Sequence, residues 1–314
     1  MKEITVCPLC HSKDIYVFAH IPRNVISGDA SKLNLNFMIM ECKICALKFL
    51  NLVPETKDEL SKIYSSEYGA YNLNFNFSEK LFSKLLSLLI FKSNYQVYFN
   101  IPILKFEMQN NTVLDIGSGS GILSKFYSDE GWKVTSLDFN DNLKKLYDNN
   151  DRITFVSGDA SNPNFPPNTF DLIIASQILE HLSDPIAALH NWRSTLKENG
   201  KLIIAVPNFG SATARLFNGY WFGGISAPFH LLFLNVESIE RMMAETKLNI
   251  LFKTDTFFPS FGQSLLQKIG LKSYDVEHSI LGKLMKALFS PLDFIFNLLG
   301  KGHGLLFILE KGSD

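Results

Sequence analysis

An α/β fold built on an open, mostly parallel sheet, with a small cysteine ribbon before it and a helical insertion near the C-terminus, is what this 314-residue sequence predicts. Three observations carry that expectation. Apolar, strand-like runs alternate with helix-forming stretches between Thr112 and Asn208. The first of those runs opens directly into a glycine-rich turn, and all four cysteines lie within the first 45 residues.

Composition bounds the function classes. With 46% hydrophobic and 19% charged residues, the chain can bury a sizeable core without disulfides, which excludes disorder, collagen and coiled coil. Thirty basic side chains meet 31 acidic ones for a formal net charge of −1, and only five of the basic residues are Arg, the bidentate phosphate reader. A nucleic-acid partner is therefore not expected. The N-terminal MKEITVCPLC is polar and turns at once to cysteine, unlike a signal peptide, so a cytoplasmic protein is expected. The longest apolar stretches, Leu85 to Phe91 and Leu292 to Leu299, are shorter than the roughly 20 residues that span a bilayer.

The cysteines fall as Cys7-Pro-Leu-Cys10 and Cys42-Lys-Ile-Cys45, with 31 residues between the pairs. This is the spacing of a four-thiolate zinc site, in which each Cys-x-x-Cys forms a knuckle and the metal closes the fold. The strand-like segment Ile15 to Met40, with Pro22 and Gly28 as turn signals, makes residues 1–53 resemble a zinc ribbon. Two surface thiol couples or two disulfides are the alternative. A closed four-thiolate site leaves no position for substrate, so this metal is assigned to folding. Residues 54–110 read as linker and lid helices: Leu60, Ile63 and Tyr64 share one face, Leu81, Leu85, Leu88 and Leu89 repeat at helical spacing, and a second mixed helix is expected up to about Met108. Packing against the sheet is the plainer role for that leucine stripe. Tyr64 and Tyr68, one helical turn apart, are candidates to cover a nucleoside.

Residues 111–314 form the expected core. Thr112 to Ile116 is an apolar strand followed by Gly117, Ser118, Gly119, Ser120 and Gly121 and then by a helix from Ile122 to Glu130, the arrangement of a nucleotide-cofactor turn. Glycines there let the backbone bend sharply and approach a ligand that a Cβ would strike. Asp115 ends the strand, where it can order the loop or receive a ligand ammonium. The dinucleotide fingerprint would place its third glycine at position 122, which is Ile, so the pattern departs from that of an NAD enzyme. A second strand, Lys133 to Leu137, ends in Asp138, 21 residues after Gly117, where a carboxylate can accept ribose hydroxyls. Further strands are expected at Ile153 to Val156, before Gly158-Asp159-Ala160, at Phe170 to Ala175, before Ser176-Gln177-Ile178-Leu179-Glu180-His181-Leu182, and at Gly200 to Val206.

In this order, LDIGSGSG, LDFN, SGDA, FDLIIASQILEHL and GKLIIAVPN resemble the class I S-adenosylmethionine-dependent methyltransferases, over about Thr112 to Asn208. The resemblance implies a Rossmann-like seven-stranded sheet whose last two strands form an antiparallel pair, here Asn249 to Phe257 and Leu305 to Glu310, with residues 259–303 as an insertion between them. It also implies a cofactor site. Gly117 and Gly119, flanked by Asp115, Ser118 and Gly121, would hold the methionine part with Gln177 nearby; Asp138 and Phe139 would face the ribose, and Asp159 and Ala160 the adenine.

Methyl transfer is an in-line displacement at a carbon that the donor has already activated, so the protein must align the acceptor and remove its proton. The candidate bases are His181 and Glu180, after the fourth strand, and His230 in Ser226-Ala-Pro-Phe-His, which resembles the Pro-x-His region after the fifth strand of such enzymes. Ubiquinone-pathway O-methyltransferases are similar in this loop but carry Glu-x-x-Glu-His, which can hold a divalent cation; Gln177 stands in place of the first Glu. Sugar C-methyltransferases resemble this chain in joining a four-cysteine ribbon to the same loop, with Tyr-x-Glu-His where Ile178 replaces Tyr. A sugar, glycan or related small-molecule acceptor is therefore expected. A non-catalytic cofactor- or partner-binding module and an NAD-linked oxidoreductase are the alternatives.

The last element expected is an amphipathic helix from Ser279, with Ile280, Leu281, Leu284, Met285, Leu288 and Phe289 on one face and Lys283 and Lys286 on another. Ser290-Pro291-Leu-Asp293 supplies an N-cap, a proline for the first helical position and an acid for the first turn, so a second short helix is expected to begin there. Packing of these faces on the hairpin or on a second subunit, in a homodimer, is weighed against peripheral membrane contact through residues 279–299.

Overall fold

The computed structural model describes residues 1–26, 35–54, 59, 96–98, 101–103 and 111–313. The expected leucine stripe, Tyr64 and Tyr68 lie outside them, as does all but Pro54 and Glu59 of the linker helix. In chain order the strands are β1 Lys2–Glu3, β2 Ile15–His20, β3 Met38–Cys42, β4 Lys48–Leu50, β5 Leu52–Val53, β6 Gln96–Tyr98, β7 Ile101–Ile103 and β8 Thr112–Ile116. Helix α1 Ile122–Asp129, β9 Lys133–Asp138, β10 Ile153–Ser157, β11 Phe170–Ser176, α2 Pro185–Thr195 and β12 Leu196–Pro207 follow. The chain continues through α3 Ala212–Phe217, β13 Leu232–Phe233, α4 Val236–Glu245, β14 Leu248–Thr256, α5 Phe261–Lys268, α6 Ser273–His278, α7 Ile280–Leu298 and β15 Gly304–Lys311.

The main sheet has the order β10-β9-β8-β11-β12-β15-β14. Its first five strands are parallel, and β15 runs antiparallel between β12 and β14. This is the class I methyltransferase fold that the motif order implies. An all-parallel dinucleotide sheet has no such reversed strand, so the topology departs from the one the NAD alternative would bring. Burial on both faces makes the central strands β8, β11 and the second half of β12 continuous apolar runs whose alternate residues serve two cores. Leu114, Ile116, Ile173, Ala175, Leu202 and Ile204 face one of them, and Val113, Leu172, Ile174 and Ile203 face the other, with Tyr127 and Trp132.

Local chemistry sets the helix starts. The Asp184 side chain accepts from Ala187 N with Pro185 at the first position, and Asn235 and Ser238 form a reciprocal capping box at α4. The N-terminal ribbon, β2-β3-β4, gains a fourth strand from the core when β13 pairs with β4, and Leu50 N donates to Leu231 O. Its buried Ile39, Phe49 and Leu50 belong to the same apolar cluster as Leu114 and Ile204.

Three expectations need correction. Residues 96–98 and 101–103 pair as antiparallel strands where a helix was expected, in keeping with Val97, Tyr98, Ile101 and Ile103 as strand formers and Pro102 as a helix breaker. The insertion holds three helices, of which α5 and α6 were not singled out in the sequence. The two C-terminal helices are one, because Ser290 does not act as an N-cap. Its Oγ donates to Ala287 O at 3.0 Å, the carbonyl that Pro291, lacking an N–H, leaves without its intrahelical donor.

The inner side of α7 meets α5 at close range: a Cβ on Gly262 would lie 2.3 Å from Met285 O. The face expected to pack is split, with Met285 and Phe289 half-buried and Leu281, Leu284 and Leu288 exposed. Gly262→Ala should therefore cost about 1–3 kcal/mol through overpacking, whereas Leu284→Ala should cost under about 0.5 kcal/mol. Urea unfolding of the two variants measures both, and equal losses would contradict this packing.

Candidate functional site

The ligand edge of a parallel sheet is formed by the carboxyl ends of its strands, and here these bring the sequence candidates together. After β8 the chain turns through Gly117, Gly119 and Gly121, all at positive φ (66°, 47° and 72°). Gly117 N and Ser118 N donate to Leu137 O, and Gly119 N donates to Asp138 Oδ2 at 3.0 Å. Asp138 Oδ1 accepts from Asn140 N at 3.1 Å. Each carboxylate oxygen thus takes one backbone N–H and keeps further acceptor capacity. Burial pushes the Asp138 carboxyl above its ordinary range. It pushes Asp115 to about 6, although Asp115 Oδ2 accepts from Ser124 Oγ at 2.6 Å. Asp115 thus ties the end of β8 to α1.

Two of the glycines also have close neighbours within the protein. A Cβ on Gly117 would strike Ile178 Cδ1 at 1.9 Å, and one on Gly121 would strike the Tyr147 hydroxyl at 2.6 Å. Side chains of the protein thus crowd the space a Cβ would take at both, in addition to the positive φ. Beyond β9, Phe139 is half exposed. After β10, the exposed Asp159 closes an Asx turn by accepting from Ser161 N at 2.8 Å, and Ala160 O accepts from Trp192 Nε1, which pins this loop to α2.

Gln177, at φ 57°, takes the left-handed conformation just after β11 and donates its N–H to Ala205 O. The turn that follows, Leu179–His181, is bonded to the segment before β13: Leu231 N donates to Glu180 O, and His181 Nδ1 donates to Phe229 O at 2.8 Å. His230 Nδ1 likewise donates to Gly224 O at 2.9 Å. Both imidazoles therefore spend their Nδ1 protons on backbone carbonyls, and each neutral ring carries its lone pair on Nε2. The rings meet edge to face with centroids 4.8 Å apart.

Glu180 is 1% exposed, its Oε1 lies 3.9 Å from His181 Nε2, and neither carboxyl oxygen has a hydrogen-bond partner among the described residues. Burial raises it to about 8. Ser176 Oγ, at the end of β11, is a further buried polar atom without a partner. One ligand atom from each of Glu180, His181 and His230 lies within 4.8 Å of the other two, so the three form an acid–base cluster with a donor set that suits a divalent cation.

His303 was not singled out in the sequence, although Gly302 and Gly304 bracket it just before β15. Its Nδ1 accepts from Trp221 Nε1 at 3.1 Å and from Ser260 Oγ at 2.8 Å, which puts its proton on Nε2. Burial, with His230 as a lesser cause, lowers it to about 3.

The four cysteines converge as well, without disulfides. Cys7 Sγ lies 3.4 Å from Cys45 Sγ and Cys10 Sγ 3.5 Å from Cys42 Sγ, with all four sulfurs within 4.8 Å of one another. Sulfurs bound tetrahedrally at about 2.3 Å would stand about 3.8 Å apart, so the cluster fits one metal ion. The two knuckles repeat one geometry. His11 N and Ala46 N, both residues at positive φ, donate to Cys7 O and Cys42 O, while Cys7 N and Cys42 N donate to Ser12 O and Leu47 O.

Burial pushes His181 down to about 3, with the charge of His230 adding, and His230 down to about 4. Between roughly pH 6.5 and 4 the unfolded chain therefore binds protons that the folded chain refuses, and stability falls as pH falls through that window. His230→Asn, which can still donate to Gly224 O, removes one such site. In urea-unfolding series the parent's stability should fall more steeply than the variant's, by up to roughly 1.4 kcal/mol per pH unit. Parallel curves would mean that His230 accepts its proton in the folded protein.

Three comparisons bear on this arrangement. A family model described as "Methyltransferase domain" matches residues 91–251. The demethylmenaquinone methyltransferase of Renibacterium salmoninarum is 35% identical over 102 residues, 31% of this chain and 43% of that protein. A ubiquinone biosynthesis O-methyltransferase of Xanthomonas euvesicatoria is 30% identical over 113 residues, 33% of this chain and 46% of that protein. An uncharacterized protein of Methanocaldococcus jannaschii is 30% identical over 169 residues, 53% of this chain and 67% of its own length. The chain thus spans under half the length of the two quinone-pathway relatives. With a family match across half of its residues and the sheet topology to go with it, the chain belongs to the methyltransferase-domain family.

Proposed function

We propose that the protein transfers a methyl group from S-adenosylmethionine to a hydroxyl or acidic carbon of a sugar, glycan or related small-molecule acceptor. The observation that carries this reading is the pair of neutral imidazoles, His230 buried and His181 largely so, each with Nε2 as its lone-pair nitrogen, at the same sheet edge as the glycine turn and Asp138. Bound there, the cofactor supplies the electrophilic methyl. Asp138 accepts from the ribose hydroxyls with Phe139 beside it, and Asp159 and Ala160 border the adenine. Asp115, Gly117, Ser118, Gly119, Gly121 and Gln177 surround the methionine part.

His230 Nε2 would take the acceptor's proton as the acceptor–methyl bond forms and the methyl–sulfonium bond breaks, the cofactor leaving as its neutral thioether. His181 and Glu180 hold the neighbouring polar positions, and the partnerless Glu180 oxygens fit an acceptor hydroxyl that donates to one of them. The sugar reading rests on the combination of ribbon and loop. The two quinone-pathway relatives favour a second acceptor class, a quinol hydroxyl or ring carbon, on the same base. A catalytically silent binding module remains the competing class.

Paired variants test the assignment. Asp138→Ala should weaken S-adenosylmethionine binding, measured by calorimetry, by about 1.5–3 kcal/mol. His230→Ala should leave that affinity near the parent's and lower methyl transfer by ~10²-fold or more. Tight cofactor binding without transfer to any sugar, glycan or quinol acceptor would favour the silent module, and loss of cofactor affinity in His230→Ala would make it a binding residue.

The cysteine cluster is proposed to hold one structural Zn²⁺. Elemental analysis should find about one zinc per chain. Cys42→Ser should release it and lower transfer, because β4 pairs with β13 just after His230, while cofactor affinity stays within a few fold. Full stability in metal-free protein would remove the metal from the fold.

A further inference from the structure

Helix α7 is arranged inside out for a helix of a water-soluble protein. Its buried positions are Gly282, Ser290 and Asp293, whereas Ile280, Leu284, Leu288, Ile295, Leu298 and Leu299 are exposed by 79%, 62%, 69%, 49%, 65% and 68%. A contiguous aliphatic surface of this kind on a folded chain marks a contact. No helix among the described residues is long and apolar enough to cross a membrane.

The charges on the insertion say what the contact is. Between Phe257 and His303 there are five lysines, Lys268, Lys272, Lys283, Lys286 and Lys301, against Asp275, Glu277 and Asp293. Asp293 is turned inward, where it caps α5 by accepting from Ser260 N and Phe261 N at 3.2 Å, and Thr213 Oγ1 also approaches it. The only acid on α7 is thus withdrawn from its outer face, while Lys283 is exposed within the aliphatic row and Lys268 and Lys272 are exposed at the end of α5 and in the turn after it.

We propose that α7 docks the protein on an anionic membrane surface, its leucine face entering the acyl boundary and the lysines meeting headgroup phosphates. An aliphatic row with Lys283 within it, on an insertion whose five lysines outnumber its two exposed acids, Asp275 and Glu277, complements such a surface. A self-complementary dimer would bring the lysines of two copies together across the interface. Such docking does not depend on methyl transfer. The insertion joins β14 to β15 at the sheet's ligand edge, where Gly304 pairs with Pro207 and Thr256, so for a methyltransferase with its site at that edge docking would turn the acceptor entrance toward lipid-borne acceptors.

Vesicle sedimentation of the full chain, without cofactor or acceptor, tests the docking separately from catalysis. The protein should pellet with vesicles of phosphatidylglycerol and phosphatidylcholine at low salt, and about tenfold more weakly with phosphatidylcholine alone or at high salt. Leu284→Ser with Leu288→Ser should weaken pelleting about tenfold or more without moving the thermal midpoint. Lys272→Glu with Lys283→Glu, which leaves the aliphatic row intact, should weaken it as well, and this second variant keeps the test decisive if the first fails to fold. No pelleting on anionic vesicles at low salt overturns the proposal. So does a chain that sediments as a dimer and becomes monomeric in the Leu284→Ser, Leu288→Ser variant without ever binding vesicles, which would make the face a subunit interface.

Discussion

The reversed strand β15 is the constraint on which the rest of the structure depends. It lies between β12 and β14 with residues 305–309 buried, so that stretch must be apolar, and Leu305, Leu306, Phe307, Ile308 and Leu309 are. An antiparallel strand in that position begins where its two neighbours end. Whatever chain joins β14 to β15 is thereby delivered to the carboxyl edge of the parallel strands, which is also the edge of the glycine turn and the histidines. The three-helix insertion, with its inward Asp293 and outward leucines, and His303 against Trp221, all stand beside the site because of that one antiparallel placement.

The site is an assembly of short loops that brace one another through backbone groups. His181 and His230 are oriented by the carbonyls of Phe229 and Gly224, and Glu180 is tied through its own carbonyl to Leu231 N. Charges placed in such a pocket would be costly to bury, and the protein answers by holding the imidazoles neutral and Glu180 toward its protonated form. Neutral imidazole is the form that can act as a base, so the same burial that costs stability prepares the chemistry. The ribbon enters this arrangement through β4, which pairs with β13, so the cysteine cluster supports the loop carrying His230 through a continuous hydrogen-bonded sheet.

The amino-acid sequence by itself determined the local elements of the core. β8, β11 and residues 200–206 of β12 and 305–309 of β15 coincide with apolar runs, because a strand buried on both faces can hold little else, whereas β14 is largely exposed and followed only from the order of the motifs. The glycine turn, Asp138 after β9 and the paired cysteines were legible for a similar reason: close backbone approach, and metal-ligand spacing, admit few residue types. Tertiary structure decided what short-range chemistry leaves degenerate. Ser290-Pro291 reads as a helix start, yet within α7 the serine hydroxyl serves the carbonyl that proline leaves open, and packing against α5 keeps the helix whole. The partners of Gly117 and Gly121 are Ile178 and Tyr147, side chains 61 and 26 residues away that no spacing rule predicts. His303 had no motif, since its importance lies in reaching Trp221 and Ser260 across the fold. Which face of α7 turns outward was likewise undecided, because periodicity defines a face but not its neighbour, and the neighbour chose Gly282, Ser290 and Asp293.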